Sequence, residues 1–241
     1  MDKVSVIIPS FRSQSNILNV LEAIENQTHI PNEVLIIDNE HSILSKFLKK
    51  KEYSFSLNIL EYSGKNFPPN KRNYGVKNSK NEIIAFLDVK TIPDKSWLEK
   101  GTKKINNYHN LVIFGSTKYY FKTLFQKILF FCSYGNKNYE TLPGTILSKK
   151  NFYKVGNFIE NVRAGEDIEW RNRVKKFINT FYSKEKNNLT YKDLPKDILE
   201  LQKKYILYSF YNAFVDVQQN IKNFYLFIFL VLSFIIVPKW N

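Results

Sequence analysis

The chain predicts an α/β fold: a mostly parallel sheet flanked by helices on both faces, with an apolar helical tail at the C-terminus. Three observations carry that expectation. Short apolar, β-branched runs alternate with helix-patterned segments from Val4 to Leu87, the rhythm of parallel strands joined by crossover helices. Two of those runs end on a carboxylate, Asp38 and Asp88, at the strand ends where open α/β sheets bind ligands. A hydrophobic fraction of 44% over 241 residues is enough for one substantial domain with an appendage.

Each element follows from its residues. Val4–Ile8 is a continuous apolar run, stopped by Pro9 and Ser10, and reads as a buried strand. Asn16–Asn26 places Ile17, Leu18, Leu21 and Ile24 on one helical face behind a Ser15 or Asn16 cap. Glu33–Asp38 is a second strand, Ile43–Lys51 a helix and Leu57–Tyr62 a third strand. Pro68 and Pro69 precede a helix over Asn70–Asn78, and Glu82–Leu87 is a fourth strand. Beyond it the pattern predicts a helix over Trp97–Asn107, a strand over Leu111–Ser116 and a long aromatic helix over Tyr119–Tyr134. A strand over Thr141–Ser148 and a helix over Gly165–Phe177 complete the body.

Charge and cysteine usage narrow the classes. Lys and Arg number 36 against 22 Asp and Glu, a net charge of +14 that favours anionic partners. The lysines are spread along the chain and no aromatic-and-basic recognition motif accompanies them, so a nucleic-acid partner is not expected. The lone Cys132 makes an intrachain disulfide impossible. Met1-Asp2-Lys3 runs directly into the first strand and Pro9, not into a signal-peptide h-region, so a cytoplasmic body is expected. No P-loop and no Gly-x-Gly-x-x-Gly is present, and His29, His41 and His109 form no ligand spacing.

The reading divides the chain into a body over 1–182, a polar linker or exposed helix over 183–204 and an apolar tail over 205–241. Asn223–Pro238 carries no charge, but as a helix it reaches only about 24 Å against a hydrocarbon core of about 30 Å. With Phe224, Tyr225 and Trp240 it suits an interfacial position on an anionic membrane surface; a span of a thinned bilayer and a helix buried on the domain are the other readings. The site is expected at the inner face of the cell membrane.

The strand ends carry a resemblance. Val4-Ser5-Val6-Ile7-Ile8-Pro9-Ser10-Phe11, then Gln27-Thr28 with Pro31 to Asn39, then Lys71-Arg72-Asn73-Tyr74-Gly75, then Ile84 to Asp88, then Gly165-Glu166-Asp167 with Arg173 occur in the order seen in family 2 glycosyltransferases. The chain resembles that family over about residues 4–177. The resemblance implies a GT-A fold, a nucleoside-diphosphate sugar donor of UDP or GDP type, and inverting transfer to a glycan or lipid-linked acceptor. It implies that Pro9, Ser10, Phe11 and Asp38 frame the base, with Asp38 an exposed strand-end acceptor whose loss leaves the fold intact. Lys71 and Arg72 then hold base, ribose or phosphates, Asp167 is the catalytic base and Glu166 supports it. Asp88 is the implied ligand of Mg²⁺ or Mn²⁺. The chain departs from the family's Asp-x-Asp here: Asp88-Val89-Lys90 sets a lysine where the second aspartate stands. Either Asp88 and other groups hold the metal, or Lys90 itself neutralises the diphosphate. The competing reading is a GT-A domain that has lost catalysis and acts as a membrane-docked binding protein.

Overall fold

The computed structural model describes residues 2–48, 51–108, 110–182, 189–217 and 219–236. The expected helix end at Lys51 meets residues 49–50, the linker start falls in 183–188, and the tail's Pro238 and Trp240 fall in 237–241; all three stretches lie outside the described residues.

Strands β1 (Val4–Pro9), β2 (Glu33–Asp38), β3 (Ser56–Glu61) and β4 (Ile83–Phe86) lie parallel in the order β3-β2-β1-β4. Helices α1 (Gln14–Glu25), α2 (His41–Leu48) and α3 (Pro68–Asn78) connect them. β5 (Thr91–Pro93) and α4 (Trp97–Asn107) follow, then β6 (Leu111–Tyr119) and β7 (Tyr139–Ser148). β7 pairs antiparallel with both β4 and β6, so it joins the parallel half of the sheet to the rest. α6 (Lys149–Val155), α7 (Glu166–Phe177), β8 (Asn179–Phe181) and β9 (Leu189–Tyr191) extend the fold to a nine-stranded mixed sheet. All residues of β1 and β2 are buried, as expected of strands covered on both faces. One core, under α1, α2 and α4, gathers Val4, Val6, Ile8, Ile36 and Trp97; the other, under α3, α6 and α7, gathers Ile7, Ile37, Phe86, Phe152 and Trp170.

Several expectations are corrected. The aromatic run from Tyr119 is not one helix. β6 continues to Tyr119, and α5 (Leu124–Leu129) starts later behind a Thr123–Gln126 capping box and closes with a π-helical turn over Phe130–Tyr134. The alternation Thr117-Lys118-Tyr119 pairs with β9 and β7, so strand pairing overrides the aromatic spacing there. The body does not stop at residue 182, because β9 completes the sheet beside β6 and β5. The expected boundary at 204/205 falls inside one helix, α8 (Ile198–Phe214), begun by an Asp197 cap that accepts from the Glu200 N–H at 2.8 Å. α9 (Gln219–Ile236) follows; among the described residues no helix is long and apolar enough to cross a membrane.

Local contacts explain several of the quoted motifs. Gln27 donates to the Asp94 carbonyl at 2.8 Å and accepts from the Leu98 N–H at 3.2 Å, and Thr28 donates to Glu99, so this pair ties the α1–β2 turn to α4. Gly75 lets α3 approach the sheet: a Cβ there would stand 2.5 Å from Ile7 Cγ2 and 2.9 Å from Ile37 Cδ1. That close approach carries Lys71 and Arg72 to the ends of β1 and β4.

Candidate active site

Arg72 is the centre of the site. It is 4% exposed, donates from Nη2 to Asp88 Oδ1 at 2.9 Å and from Nη1 to Glu166 Oε1 at 3.0 Å. Three separate elements meet there: α3 supplies the guanidinium, the end of β4 supplies Asp88 and the start of α7 supplies Glu166. The Arg72 Nε is buried and has no hydrogen-bond partner among the described residues. Burial disfavours the guanidinium's charge, but Asp88 and Glu166 outweigh it and hold Arg72 above its ordinary range.

Glu166 and Asp167 have different surroundings although they are neighbours. Gly165, at φ 86°, turns the chain into α7 and places both carboxylates in the first turn, where the helix dipole favours negative charge. Glu166 is buried, and its carboxyl is pushed up to about 7. Desolvation is the main cause; the Arg72 charge opposes it and Asp167 adds to it. One guanidinium faces Asp88, Glu166 and Asp167 together, so negative charge is in excess and, with burial, favours the protonated form of Glu166. Asp167 keeps a 35% exposed side chain, with Arg171 Nη2 at 3.7 Å. Arg171 is held by the Glu140 carbonyl and carboxylate at 3.0 and 2.9 Å. Arg173, by contrast, is engaged with Glu169, the Val155 carbonyl and the Asn157 carbonyl, so it braces the chain before α7.

The β1 and β2 ends form a second cluster. Ser10 Oγ donates to Asp38 Oδ2 at 2.5 Å, and the Glu40 N–H donates to Asp38 Oδ1 at 2.7 Å. The expectation of an exposed Asp38 is corrected: it is only 2% exposed, because both oxygens fold inward onto the turns after β1 and β2. Lys71 donates to the Ser10 carbonyl and, at 2.5 Å, to Asn66 Oδ1, with Phe11 5.7 Å from its ammonium. Burial pulls the Lys71 ammonium down to about 8, against the attraction of Asp38 and Glu40. Pro9, Ser10, Phe11, Asp38 and Lys71 thus stand together, and Arg72, Asp88, Glu166 and Asp167 stand together, with α3 supplying a cation to each group.

Lys90 is ion-paired with Asp193, just past β9. Among the described residues no group of three or more His, Cys, Asp or Glu could hold a metal. Asp88 shares one oxygen with Arg72, and its carboxylate is the sole acid of the Asp-x-Asp position. That meets the least requirement for Mg²⁺, which takes one or two carboxylates and completes its shell with phosphate oxygens and water. It does not amount to a cage made by the protein alone.

Sequence reasoning missed the tyrosines. Tyr119 stacks on Tyr134 at 4.2 Å and meets Tyr139 and Tyr191 edge-on at 5.5 and 5.4 Å. The one available signal was the count of 15 tyrosines, which says nothing of where they meet.

A two-sided, mostly parallel sheet with a serine–aspartate–lysine cluster at β1–β2 and an arginine–carboxylate cluster at β4–α7 defines a domain of GT-A type. The family model described as "Glycosyl transferase family 2" matches residues 5–165, and the chain belongs to that family. It is 27% identical over 187 residues to "Glycosyltransferase AglE" of Haloferax volcanii, covering 70% of this chain and 60% of that protein. It is 32% identical over 180 residues to an uncharacterized glycosyltransferase of Rickettsia bellii, covering 68% of this chain and 25% of that one. The chain therefore spans 60% or less of the length of these relatives. The fold is that of S. aureus TarS residues 1–349 in complex with UDP-GlcNAc, with a TM-score of 0.63 at 18% identity over 81% of this chain and 60% of that one. The UDP complex of the same protein gives 0.60, covering 83% and 63%.

Proposed function

We propose that this chain transfers a sugar, with inversion, from a nucleoside-diphosphate sugar to a hydroxyl of a glycan or lipid-linked acceptor. The observation that carries the reading is buried Arg72, held between Asp88 and Glu166 with Asp167 beside them. An arginine charge at the strand ends is suited to the diphosphate, whose negative charge grows as the sugar departs. Asp167, the more exposed of the two α7 carboxylates, takes the acceptor proton as the hydroxyl oxygen attacks the anomeric carbon. Glu166, buried and bound to Arg72, positions the guanidinium and does not compete as base.

Asp38 acts on the base by fixing Ser10 and the turn carrying Phe11, and Lys71 adds positive charge beside it. Lys90, held on Asp193, contributes to the donor side only if that pair opens. A Mg²⁺ or Mn²⁺ ion would be held by Asp88, and its chemistry would be to neutralise the departing diphosphate. Because the protein offers it so few ligands, the ion is expected to arrive with the nucleotide. Calorimetry should then detect Mn²⁺ binding in the presence of UDP and none without it; tight Mn²⁺ binding to the nucleotide-free protein would contradict this.

We place the reaction at the inner face of a membrane. The support is the bare apolar surface of α8 and α9, where Ile206, Phe210, Phe214, Phe224, Tyr225 and Phe227 are all exposed, together with a charge of +14.

The test is a thermal-shift panel of UDP-, GDP-, CMP- and dTDP-sugars with Mn²⁺ or EDTA, followed by turnover of the stabilising donor. Asp167→Asn should cut turnover by at least a hundredfold and leave nucleotide stabilisation intact. Unchanged turnover would remove Asp167 as base, and binding without turnover in the unaltered protein would favour a binding module.

A further inference from the structure

The family match ends at residue 165, and α8, beyond it, supplies a further wall to the cleft. No α8 residue is fully buried, but Leu201, Lys204, Leu207, Tyr211 and Asn212 are half-buried, at the three- and four-residue spacing of one helix face. Two contacts set where that face lies. The Tyr211 ring meets Phe67 edge-on at 6.1 Å, directly before α3 with its Lys71 and Arg72. Asn212 packs on Gly165 so closely that a Cβ there would come within 2.6 Å of its Oδ1, directly before Glu166 and Asp167. The last turn of α8 therefore sits beside both the start of α3 and the start of α7, next to the cluster those helices hold.

Tyr208, 39% exposed, lies three and four residues before Tyr211 and Asn212, so it borders their side of the helix where it meets solvent. Its hydroxyl is pushed up to about 12, chiefly by desolvation, then by the charge of Asp167, with Glu166 and Asp88 adding less. Tyr134 stands near it, and with it the stack of Tyr119 on Tyr134 and the edges of Tyr139 and Tyr191. The charged side chains at this end are the acids Asp167, Glu166 and Asp88 with Arg171 beside Asp167, Arg72 buried behind them, and Lys90 and Lys204 gathered around Asp193. Phenols beside carboxylates suit the C–H faces and hydroxyls of a neutral sugar better than a phosphate. The opposite face of α8 is bare and apolar: Ile206, Phe210 and Phe214 are 72, 67 and 71% exposed.

We propose that the space between the inner face of α8 and the tyrosines of β6, β7 and β9 is an acceptor-side subsite for an amphiphile. Its neutral sugar end lies on the tyrosines beside Asp167, its apolar body leaves along the outer face of α8, and Tyr208 is the positioning residue. This rests on the transferase reading above.

The test uses the full chain and four probes: octyl β-D-glucopyranoside below its micellar concentration, methyl β-D-glucopyranoside, decyl phosphate, and UDP as a donor-side control. Octyl glucoside is expected to slow amide hydrogen exchange over 198–214 and to bind at least tenfold tighter than either methyl glucoside or decyl phosphate. Tyr208→Ala should weaken it at least tenfold, Tyr208→Phe by less than threefold, and both variants should keep the UDP-induced thermal shift. Equal binding of octyl and methyl glucoside, tighter binding of decyl phosphate, no binding of octyl glucoside at all, or an unaffected Tyr208→Ala would each overturn the proposal. So would loss of the UDP shift in Tyr208→Ala, because Tyr208 would then support the donor side. Absence of a UDP shift in the unaltered protein is a separate result: it sinks the transferase reading, while the octyl glucoside comparison still decides on the subsite.

Discussion

At the scale of single residues, the site depends on how burial divides the work among four acids. Glu166 is held up to about 7 against an ordinary 4.5, so the folded chain binds more protons than the unfolded chain between those values. Its contribution to stability is fully present below about 4.5 and is lost as pH rises through about 7. Protonated Glu166 also leaves Arg72 more of its charge for a diphosphate. UDP affinity should therefore fall as pH rises from 6 to 8, and Glu166→Gln should flatten that slope; calorimetric titration across the range checks it. A slope that persists unchanged in Glu166→Gln would assign the titration to another group. Asp38 belongs to the same scale. Asp38→Ala strands the Glu40 amide and leaves the Ser10 hydroxyl only its hydrogen bond with Ser13, a cost of about 1–3 kcal/mol. That is about 2–12 °C in Tm for a chain of this size, measurable by calorimetry without nucleotide. An unshifted Tm would mean that the turns after β1 and β2 hold without it.

Among the elements, α3 is the most instructive. Its buried face is largely polar: Asn70, Lys71, Arg72 and Asn73 are all inside. Each has a fixed partner, Asn73 in particular holding both the Phe158 N–H and the Phe158 carbonyl at 3.0 Å. A helix that hydrophilic is tolerated inside because its buried polar groups, the Arg72 Nε excepted, are satisfied, and it can only sit there because Gly75 lets it approach β1 and β2. Gly75→Val should cost about 1–3 kcal/mol by overpacking against Ile7 and Ile37. Because Lys71 and Arg72 ride on the same helix, UDP affinity should drop alongside it. Denaturant titration with and without UDP separates the two effects, and unchanged stability would show that α3 can shift outward freely.

For the whole molecule, the charge of +14 and the exposed apolar residues of α8 and α9 act on the same partner through different physics. Attraction to an anionic surface is screened over about 8 Å at physiological salt, while apolar burial is not. The full chain should float with vesicles containing 30% anionic lipid, bind more weakly at 0.5 M salt, and retain a residual, salt-resistant fraction. A chain ending at Val217 should lose most of that fraction while keeping the buried Val217 contact near Gly165. Complete release by salt would mean that the helices do not enter the lipid.

The sequence by itself determined the alternation of β1 to β4 with α1 to α3, and it placed Ser10, Asp38 and Asp88 at strand ends. Those follow from apolar runs, proline stops and local spacing, all short-range along the chain. It also marked Arg72, Glu166 and Asp167 through the family resemblance. Only the tertiary structure decided that Arg72 joins Asp88 to Glu166, partners 16 and 94 positions away in the chain. It alone decided that Asp38 is buried, that Lys90 turns to Asp193, and that Tyr119 ends a strand where its neighbours promised a helix. The side of α8 that faces the cleft was likewise illegible, since its more apolar face, with Ile206, Phe210 and Phe214, is the one left exposed. The physical reason is common to all five. Periodicity reports which side of an element is apolar, whereas burial, ion pairing and the pKa values that follow from them depend on what another part of the chain brings to that side.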